Sequence, residues 1–143
     1  MILNKKTEYA ISILVYVYQL SRSEDPITTK QIFNATEIPK KYLTVILSEL
    51  QRYGLLKSIK GFRGGYRAVK GLENISLLDI VKATAHQQTT HVKILMNDFQ
   101  KFSRKINDEV TTEFEHILDK LKFLDLYKKF EELASNNVLM YEI

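Results

Sequence analysis

The sequence predicts a mainly α-helical protein that carries one small β-hairpin. Apolar residues recur at helical spacing in several segments, and capping residues precede some of these segments. A glycine-rich segment at 61–65 separates two short runs of strand character. The chain has 143 residues, of which 45% are hydrophobic and 27% charged, a balance typical of a folded protein with a substantial core.

The first predicted helix covers residues 5–21 and is apolar around most of its circumference, so we expect it to be the most buried element. Its start superficially resembles a signal peptide, because Lys5 and Lys6 precede the apolar run 10–20. Glu8 interrupts that pattern, and the run is shorter than the roughly 20 apolar residues that span a bilayer. We therefore expect a buried helix in a cytoplasmic protein that does not associate with a membrane.

The next segment predicts two helices joined by a tight turn. Thr28 and Gln31 form a capping-box pattern at the start of a short helix. After the turn, Pro39 is well placed to open a second helix over residues 40–53, and Gly54 is typical of a helix end. The apolar face of the second helix comprises Leu43, Ile46, Leu47 and Leu50.

A different periodicity follows these helices. Residues 55–60 and 66–69 have strand character, and the loop 61–65 joins them as a hairpin. Ser76 is the predicted N-cap of a further helix over residues 77–85.

The rest of the chain predicts an irregular region at 86–106 and then a long helix over residues 107–126. The apolar stripe of that helix comprises Val110, Phe114, Ile117, Leu118, Leu121 and Leu124. We accordingly expect three parts: a first domain at 1–85, the irregular, sensor-like loop region, and a dimerisation helix with a C-terminal tail at 107–143.

Basic charge is concentrated in the first half of the chain. Residues 1–75 carry a net charge of +6 and residues 76–143 a net charge of −2. Residues 37–70 alone contain eight Lys or Arg against two Asp or Glu. This distribution favours a polyanion as the ligand of the first half and a separate partner or dimer surface in the second.

The order of the predicted elements is that of a winged helix-turn-helix, which predicts DNA binding. An amphipathic helix with a basic outer face fits the major groove, which is about 12 Å wide. At its N-terminus Lys40 and Lys41 add to the positive end of the helix dipole, where phosphates bind. Lys60 and Arg63 project from a slim, glycine-rich hairpin that can approach the minor groove.

No enzyme motif accompanies this arrangement. The loop 61–65 lacks the Gly-Lys-Ser/Thr ending of a phosphate-binding loop. The sequence also lacks the unit of a strand, a glycine-rich turn and a helix that binds dinucleotides. The chain contains 0 Cys, which excludes thiol nucleophiles and cysteine-ligated metal centres. The alternative to DNA binding is a winged-helix adaptor that binds proteins, which would have no need of cations at the hairpin tip.

Several short motifs occur in a fixed order between residues 3 and 85. They are Tyr9-Ala10, Tyr42-Leu43, Lys57-Ser58-Ile59-Lys60-Gly61 with Gly64-Gly65-Tyr66, and Ile75-Ser76-Leu77-Leu78-Asp79-Ile80. In this order they resemble the Rrf2 family of bacterial transcription regulators, which includes IscR, NsrR and CymR. The hairpin motif is the most specific of them.

The resemblance implies a dimeric winged-helix repressor whose long helix crosses to the partner subunit and whose operator is an inverted repeat. It implies that Thr28 and Tyr42 hold phosphates and that Lys60 and Arg63 enter the minor groove. The residues that it places at base edges or the neighbouring backbone are Lys40, Lys41, Thr44 and Ser48. Related regulators often carry a longer Glu or Gln at the position of Thr44, so we expect a different base preference here.

The same resemblance exposes a departure from the family. Members that sense iron, nitric oxide or redox state hold an iron–sulfur cluster through three cysteines before the long helix. This chain has no cysteine, so such a cluster is excluded. His86 and His91, with Asp98 as a helper, fit no metal template well, and we expect no metal site.

The apolar residues of the irregular region at 86–106 allow two interpretations. They are Ile94, Leu95, Met96, Phe99 and Phe102. They could line a pocket for a small-molecule effector, because such pockets have apolar walls. Packing against the dimer partner is the interpretation we favour.

The C-terminal tail ends with Tyr141 and Ile143 and is similar to that of the CymR branch, which partners with cysteine synthase. That enzyme accepts a C-terminal isoleucine carboxylate in its active site, and terminal capture is a known recognition mode. The resemblance therefore offers cysteine synthase as a partner. The alternative is that the tail folds back on the dimer core.

Overall fold

A computed structural model describes residues 3–85 and 95–136 and confirms the mainly helical fold with one two-stranded hairpin. Its elements are α1 (Lys5–Gln19), α2 (Thr29–Thr36), α3 (Lys40–Arg52), β1 (Leu56–Ile59), β2 (Gly65–Ala68), a 3₁₀ turn (Leu72–Asn74), α4 (Leu77–Thr84), α5 (Asp98–Lys120) and α6 (Phe123–Ser135). Within these two ranges, no helix is both long enough and apolar enough to cross a membrane.

Helix α1 lies at the centre of the core, as its apolar sequence predicts. Its fully buried residues are Ala10, Ile13, Leu14 and Val17. Asn4 caps the first turn by accepting the backbone N–H of Thr7 at 2.8 Å. The hydroxyl groups of Thr7 and Thr84 lie 2.8 Å apart and connect α1 to α4 inside the core.

Helices α2 and α3 form the predicted helix-turn-helix. The Thr28 hydroxyl accepts the N–H of Gln31 at 3.1 Å, and the Gln31 side chain accepts the N–H of Thr28 at 2.8 Å, which confirms the capping box. Glu37 ends α2 in the left-handed conformation with φ 55°, and Pro39 precedes α3 as predicted. Ile38 between them is buried and anchors the turn to the core.

The left-handed conformation of Glu37 leads to a stability prediction. An L-residue pays about 1–2 kcal/mol in this region, whereas glycine enters it readily. We expect Glu37→Gly to raise the free energy of unfolding by about 0.5 kcal/mol, since the extra freedom of glycine in the unfolded chain offsets part of the gain. Urea denaturation measures this change. The control is Glu37→Ala, which removes the carboxylate but keeps the β-carbon, and equal stability of the two variants would contradict the prediction.

The hairpin and its tip, residues 56–68, are called the wing below. The wing is fixed to the start of the helix-turn-helix, because Ile27 donates to the carbonyl of Tyr66 at 2.9 Å and accepts the Tyr66 N–H at 2.8 Å. In the antiparallel register Ile59 stands opposite Gly65. A β-carbon on Gly65 would lie 2.4 Å from the Ile27 carbonyl oxygen, so the close approach of the two backbones requires glycine.

The long helix differs from the prediction at both ends. The predicted bounds were 107–126, but α5 covers Asp98–Lys120, so residues 98–106 are helical rather than irregular. Asn97 sets the start, because its side chain accepts the N–H of Gln100 at 2.9 Å and the Gln100 side chain accepts the N–H of Asn97 at 3.0 Å. The division expected between 106 and 107 therefore falls inside one helix.

A tertiary contact ends α5 before the predicted position. Leu121 leaves the helical conformation, with ψ 107°, and its carbonyl accepts the N–H of Leu77 at 2.8 Å. The N–H of Phe123 donates to the carbonyl of Ile75 at 2.7 Å. These bonds join the end of α5 to the start of α4, and the apolar spacing that continues through 121 and 124 does not reveal them.

Helix α6 packs on α1 rather than continuing the long helix. Phe123 is fully buried, and its ring centre lies 5.3 Å from that of Tyr18. Tyr127 lies 4.7 Å from Tyr18, ring centre to ring centre. Residues 123–135, which were expected to form the end of the dimerisation helix and the start of the C-terminal tail, thus add to the core around α1.

Candidate nucleic-acid interface

Helix α3 presents a polar, basic face to solvent opposite its buried apolar face. The exposed residues on it include every α3 residue that the sequence analysis selected: Lys40, Lys41, Tyr42, Thr44 and Ser48. The ammonium of Lys40 lies 5.3 Å from the ring centre of Phe33, and that of Lys41 lies 4.8 Å from the ring centre of Tyr42. Aromatic rings therefore hold two cations at the N-terminal end of α3.

The geometry of Thr44 determines what it can offer a ligand. Its hydroxyl donates to the carbonyl of Lys40 at 3.1 Å, so its hydrogen is used inside the helix. The side chain then presents oxygen lone pairs and a methyl group. In the major groove this combination matches an amino group of adenine or cytosine, or the methyl group of thymine.

Helix α2 adds polar groups beside α3. A groove of about 410 Å³ separates the two helices, and its walls include Lys30, Asn34, Lys40 and Thr44. Thr28 is exposed at the N-terminus of α2. Within the described residues its hydroxyl accepts a hydrogen bond but donates none, so its hydrogen can bind a phosphate.

The wing carries the two predicted minor-groove cations near its tip. Lys60 and Arg63 are both exposed. The tip is a turn in which the N–H of Gly64 donates to the carbonyl of Gly61 at 3.0 Å. The side chains are therefore carried by a narrow stretch of backbone.

The wing also contains a second pair of cations that the sequence analysis did not select. Lys57 and Arg67 stand directly opposite each other in the hairpin and are exposed. Like charges directly opposite destabilise a hairpin, and a bound polyanion would relieve their repulsion. Side chains alternate between the two faces of a strand, and this alternation in the sequence could have placed Lys57 and Arg67 together on the outer face of the hairpin.

Acidic side chains hardly offset this charge. Of the two acidic residues at 37–70, Glu49 points inward and pairs with Lys6, with side chains only 17% and 16% exposed. Glu37 is the other. Across the described ranges, no ion pair involves a cation of α3 or of the wing, so the face formed by α3, the start of α2 and the wing stays strongly positive.

The candidate metal ligands and tail residues named in the sequence analysis lie outside the described residues or in α5. His86, His91, Ile94, Tyr141 and Ile143 lie outside the described residues. Asp98 lies in the first turn of α5, where its carboxylate is 3.6 Å from the ammonium of Lys101. In the part of the chain that the structure describes, no three His, Cys, Asp or Glu side chains are grouped as metal ligands would be.

Helix α5 carries a separate stripe of exposed apolar residues. We define the α5 stripe as Phe99, Phe102, Ile106, Val110, Ile117 and Leu121, which are spaced to share one side of a helix. Phe99 is 85% exposed and Val110 is 60% exposed. Three members of the predicted stripe behave differently, because Leu118 is buried, Phe114 is partly buried against the core and Leu124 lies in α6.

The fold and parts of the sequence are similar to known regulators. A family model described as "Rrf2: Iron-dependent Transcriptional regulator" matches residues 3–129. The HTH-type transcriptional regulator NsrR of Shouchella clausii is 33% identical over 82 residues, which cover 57% of this chain and 54% of that protein. The structure of IscR from T. potens aligns with a TM-score of 0.69 at 23% identity, over 91% of this chain and 88% of that one. The structure of CymR, the global cysteine regulator of B. subtilis, aligns with a TM-score of 0.66 at 23% identity, over 89% and 96%.

The similarities to curated relatives and to solved structures differ in coverage and in sequence identity. The chain spans about half the length of the curated relatives it matches. At 23% identity, the two solved structures show a shared fold. The iron dependence in the family description does not fit a cysteine-ligated cluster here, because the chain has 0 Cys to supply thiolate ligands.

Proposed function

Because the chain belongs to the Rrf2 family of transcriptional regulators, we propose that it is a sequence-specific DNA-binding regulator that acts in the bacterial cytoplasm without an iron–sulfur cluster. The observation that carries this proposal is the strongly positive face formed by α3, the start of α2 and the wing. Duplex DNA carries one negative charge per about 1.7 Å of its length, which makes it the polyanion that fits this face.

The residues of the face divide into positioning and reading groups. Thr28 and Tyr42 bind phosphates and fix the register of α3 on the duplex. The residues that lie at base edges or the adjoining backbone are Lys40, Lys41, Thr44 and Ser48. Lys60 and Arg63 reach the minor groove, where the negative potential attracts cations. Phosphate contacts supply most of the affinity, and the short side chains of α3 supply the selectivity.

The protein acts as a homodimer that binds an inverted repeat. The α5 stripe supports this part of the proposal, since six apolar side chains on one side of a helix are exposed in the single chain. A twofold dimer through this stripe would present two α3 helices. Their separation would match half-sites one helical turn or a small multiple of a turn apart.

Repression follows from occupancy of such an operator. A dimer with both wings on the duplex covers DNA that the transcription machinery would need, and no chemistry by the protein is required. The alternative of a protein-binding adaptor is less well supported, because the relatives named above are transcriptional regulators and the wing retains its cations.

Two matters of regulation stay predictions. The first is capture of Ile143, which lies outside the described residues, by cysteine synthase: deletion of Ile143 should abolish binding to the purified enzyme. The second is a small-molecule effector that binds at residues 94–102. The exposed Phe99 and Phe102 favour the alternative, in which these residues pack against the dimer partner.

Substitutions at Thr44 test whether α3 reads bases. Thr44→Val keeps the methyl group and removes the oxygen, whereas Thr44→Ser keeps the oxygen and removes the methyl group. We expect Thr44→Val to lose about tenfold discrimination at the base pair that supplies an amino donor, and Thr44→Ser to lose discrimination for thymine instead. Selection of duplexes from a randomised pool measures both preferences.

The matched control for this experiment is Thr112→Val on α5. The Thr112 hydroxyl donates to the Asp108 carbonyl at 2.9 Å, so the change removes the same kind of bond outside the proposed interface. It should leave the selected sequences unchanged. If Thr44→Val weakens binding equally to all duplexes, the reading role of Thr44 is wrong.

A further inference from the structure

Phe62, at the tip of the wing, is the most exposed large apolar residue of the described chain. Its relative accessibility is 105%, so it makes no contact with the core. In the sequence Arg63 follows it directly and Lys60 precedes it by two residues. This differs from the exposed Phe99 and Phe102, which share the α5 stripe with further apolar residues.

The backbone of the tip forms a tight turn that carries Phe62. Because the N–H of Gly64 donates to the carbonyl of Gly61 at 3.0 Å, Phe62 and Arg63 are the two central residues of a β-turn. Gly61 has φ 114°, and a β-carbon on Gly64 would lie 2.4 Å from the carbonyl oxygen of Ile59.

Stability gives no reason for phenylalanine at this position. Polar residues serve the centre of a β-turn well, and an isolated ring in water contributes no packing. A ligand that offers the ring an apolar environment next to phosphates would account for both Phe62 and its two cationic neighbours.

We propose that Phe62 inserts its ring as an apolar wedge into the DNA minor groove beneath the wing, while Lys60 and Arg63 neutralise the phosphates along that groove. This inference rests on the proposed DNA-binding function. Minor-groove proteins use phenylalanine in this way to unstack a base step partially and bend the duplex. The narrow glycine backbone allows the tip to enter a groove about 6 Å wide.

The wedge would make the wing a source of sequence preference. Pyrimidine–purine steps unstack most easily, so the two wings of a dimer should favour such steps on both sides of the operator. The preference arises from the deformability of the DNA and needs no hydrogen bond to a base.

The test compares Phe62→Ala, Phe62→Leu and Arg63→Ala on the duplex that the wild-type protein selects, with 2-aminopurine in place of adenine at the steps beneath the wings. Wild-type binding should raise 2-aminopurine fluorescence through unstacking. Phe62→Ala should abolish the rise and lower affinity about tenfold, with an unchanged dependence on salt because the ring is neutral. Phe62→Leu should retain part of the rise. Arg63→Ala should keep the rise and lower the salt slope by about 2 for a dimer.

Two results would overturn the wedge alone: wild-type binding without a fluorescence rise at any step beneath the wings, or equal affinity and fluorescence for wild type and Phe62→Ala. Failure of the wild type to bind any duplex would remove the proposed function and the wedge together. Since Phe62 contacts no core residue, the melting temperature of Phe62→Ala should equal that of the wild type, which separates the result from misfolding.

Discussion

Val110→Glu in the α5 stripe is expected to dissociate the proposed dimer and to lower affinity for the full inverted repeat by about a thousandfold. Val110 is 60% exposed in the single chain, so the substitution leaves the fold of the subunit intact. In a twofold interface the new charge occurs twice and must be buried without a partner. The second half-site then loses the high effective concentration that the dimer provides.

Sedimentation velocity and fluorescence anisotropy measure the two parts of this prediction. Affinity for a duplex with a single half-site should stay near that of the wild type, because the α3 face is unchanged. The control is Thr112→Glu, which adds the same charge on the opposite side of α5 and should leave the dimer intact. A Val110→Glu protein that sediments as a dimer with wild-type affinity would show that the stripe is not the dimer surface.

Lys60→Ala combined with Arg63→Ala is expected to lower DNA affinity by about a thousandfold at 0.1 M salt. A dimer loses four cations, so the slope of log affinity against log salt should fall by about 3 to 4. Both side chains are exposed at the wing tip, and neither forms an ion pair within the described residues, so the free energy of unfolding should hardly change.

Anisotropy titrations at several salt concentrations measure the slope. The matched control is Lys128→Ala with Lys129→Ala, which removes the same charge from exposed positions on α6. It should lower the affinity and the slope far less. Equal effects of the two double variants would mean that only net charge matters and that the wing has no special place on the DNA.

Local sequence signals predicted the elements that form the candidate interface. Three of these signals act within a few residues: the Thr28 capping box, Pro39 before α3 and the glycines of the hairpin. In the structure α2, α3 and the hairpin form at the positions that these signals predict. The two exposed cations at the start of α3 and the two at the wing tip were predicted from the same local signals, whereas Lys57 and Arg67 were missed. That part of the fold was therefore predictable without tertiary information.

The rest depended on contacts between distant segments. The end of α5 is set by two hydrogen bonds, from the Leu77 N–H to the Leu121 carbonyl and from the Phe123 N–H to the Ile75 carbonyl, and the apolar spacing does not encode them. Glu49 is withdrawn from the positive face by Lys6, a residue 43 positions away. The start of α5 is different, since the capping box of Asn97 and Gln100 was a local signal that the sequence analysis overlooked.

Selection of bound duplexes from a randomised pool, followed by anisotropy titrations of the recovered sequences at several salt concentrations, tests the DNA-binding function most directly. The positive face and the α5 stripe predict an inverted repeat, with half-sites about one helical turn or a small multiple apart and a steep salt slope. Recovery of no common sequence, with weak binding of similar strength to every duplex, would contradict sequence-specific regulation by this protein.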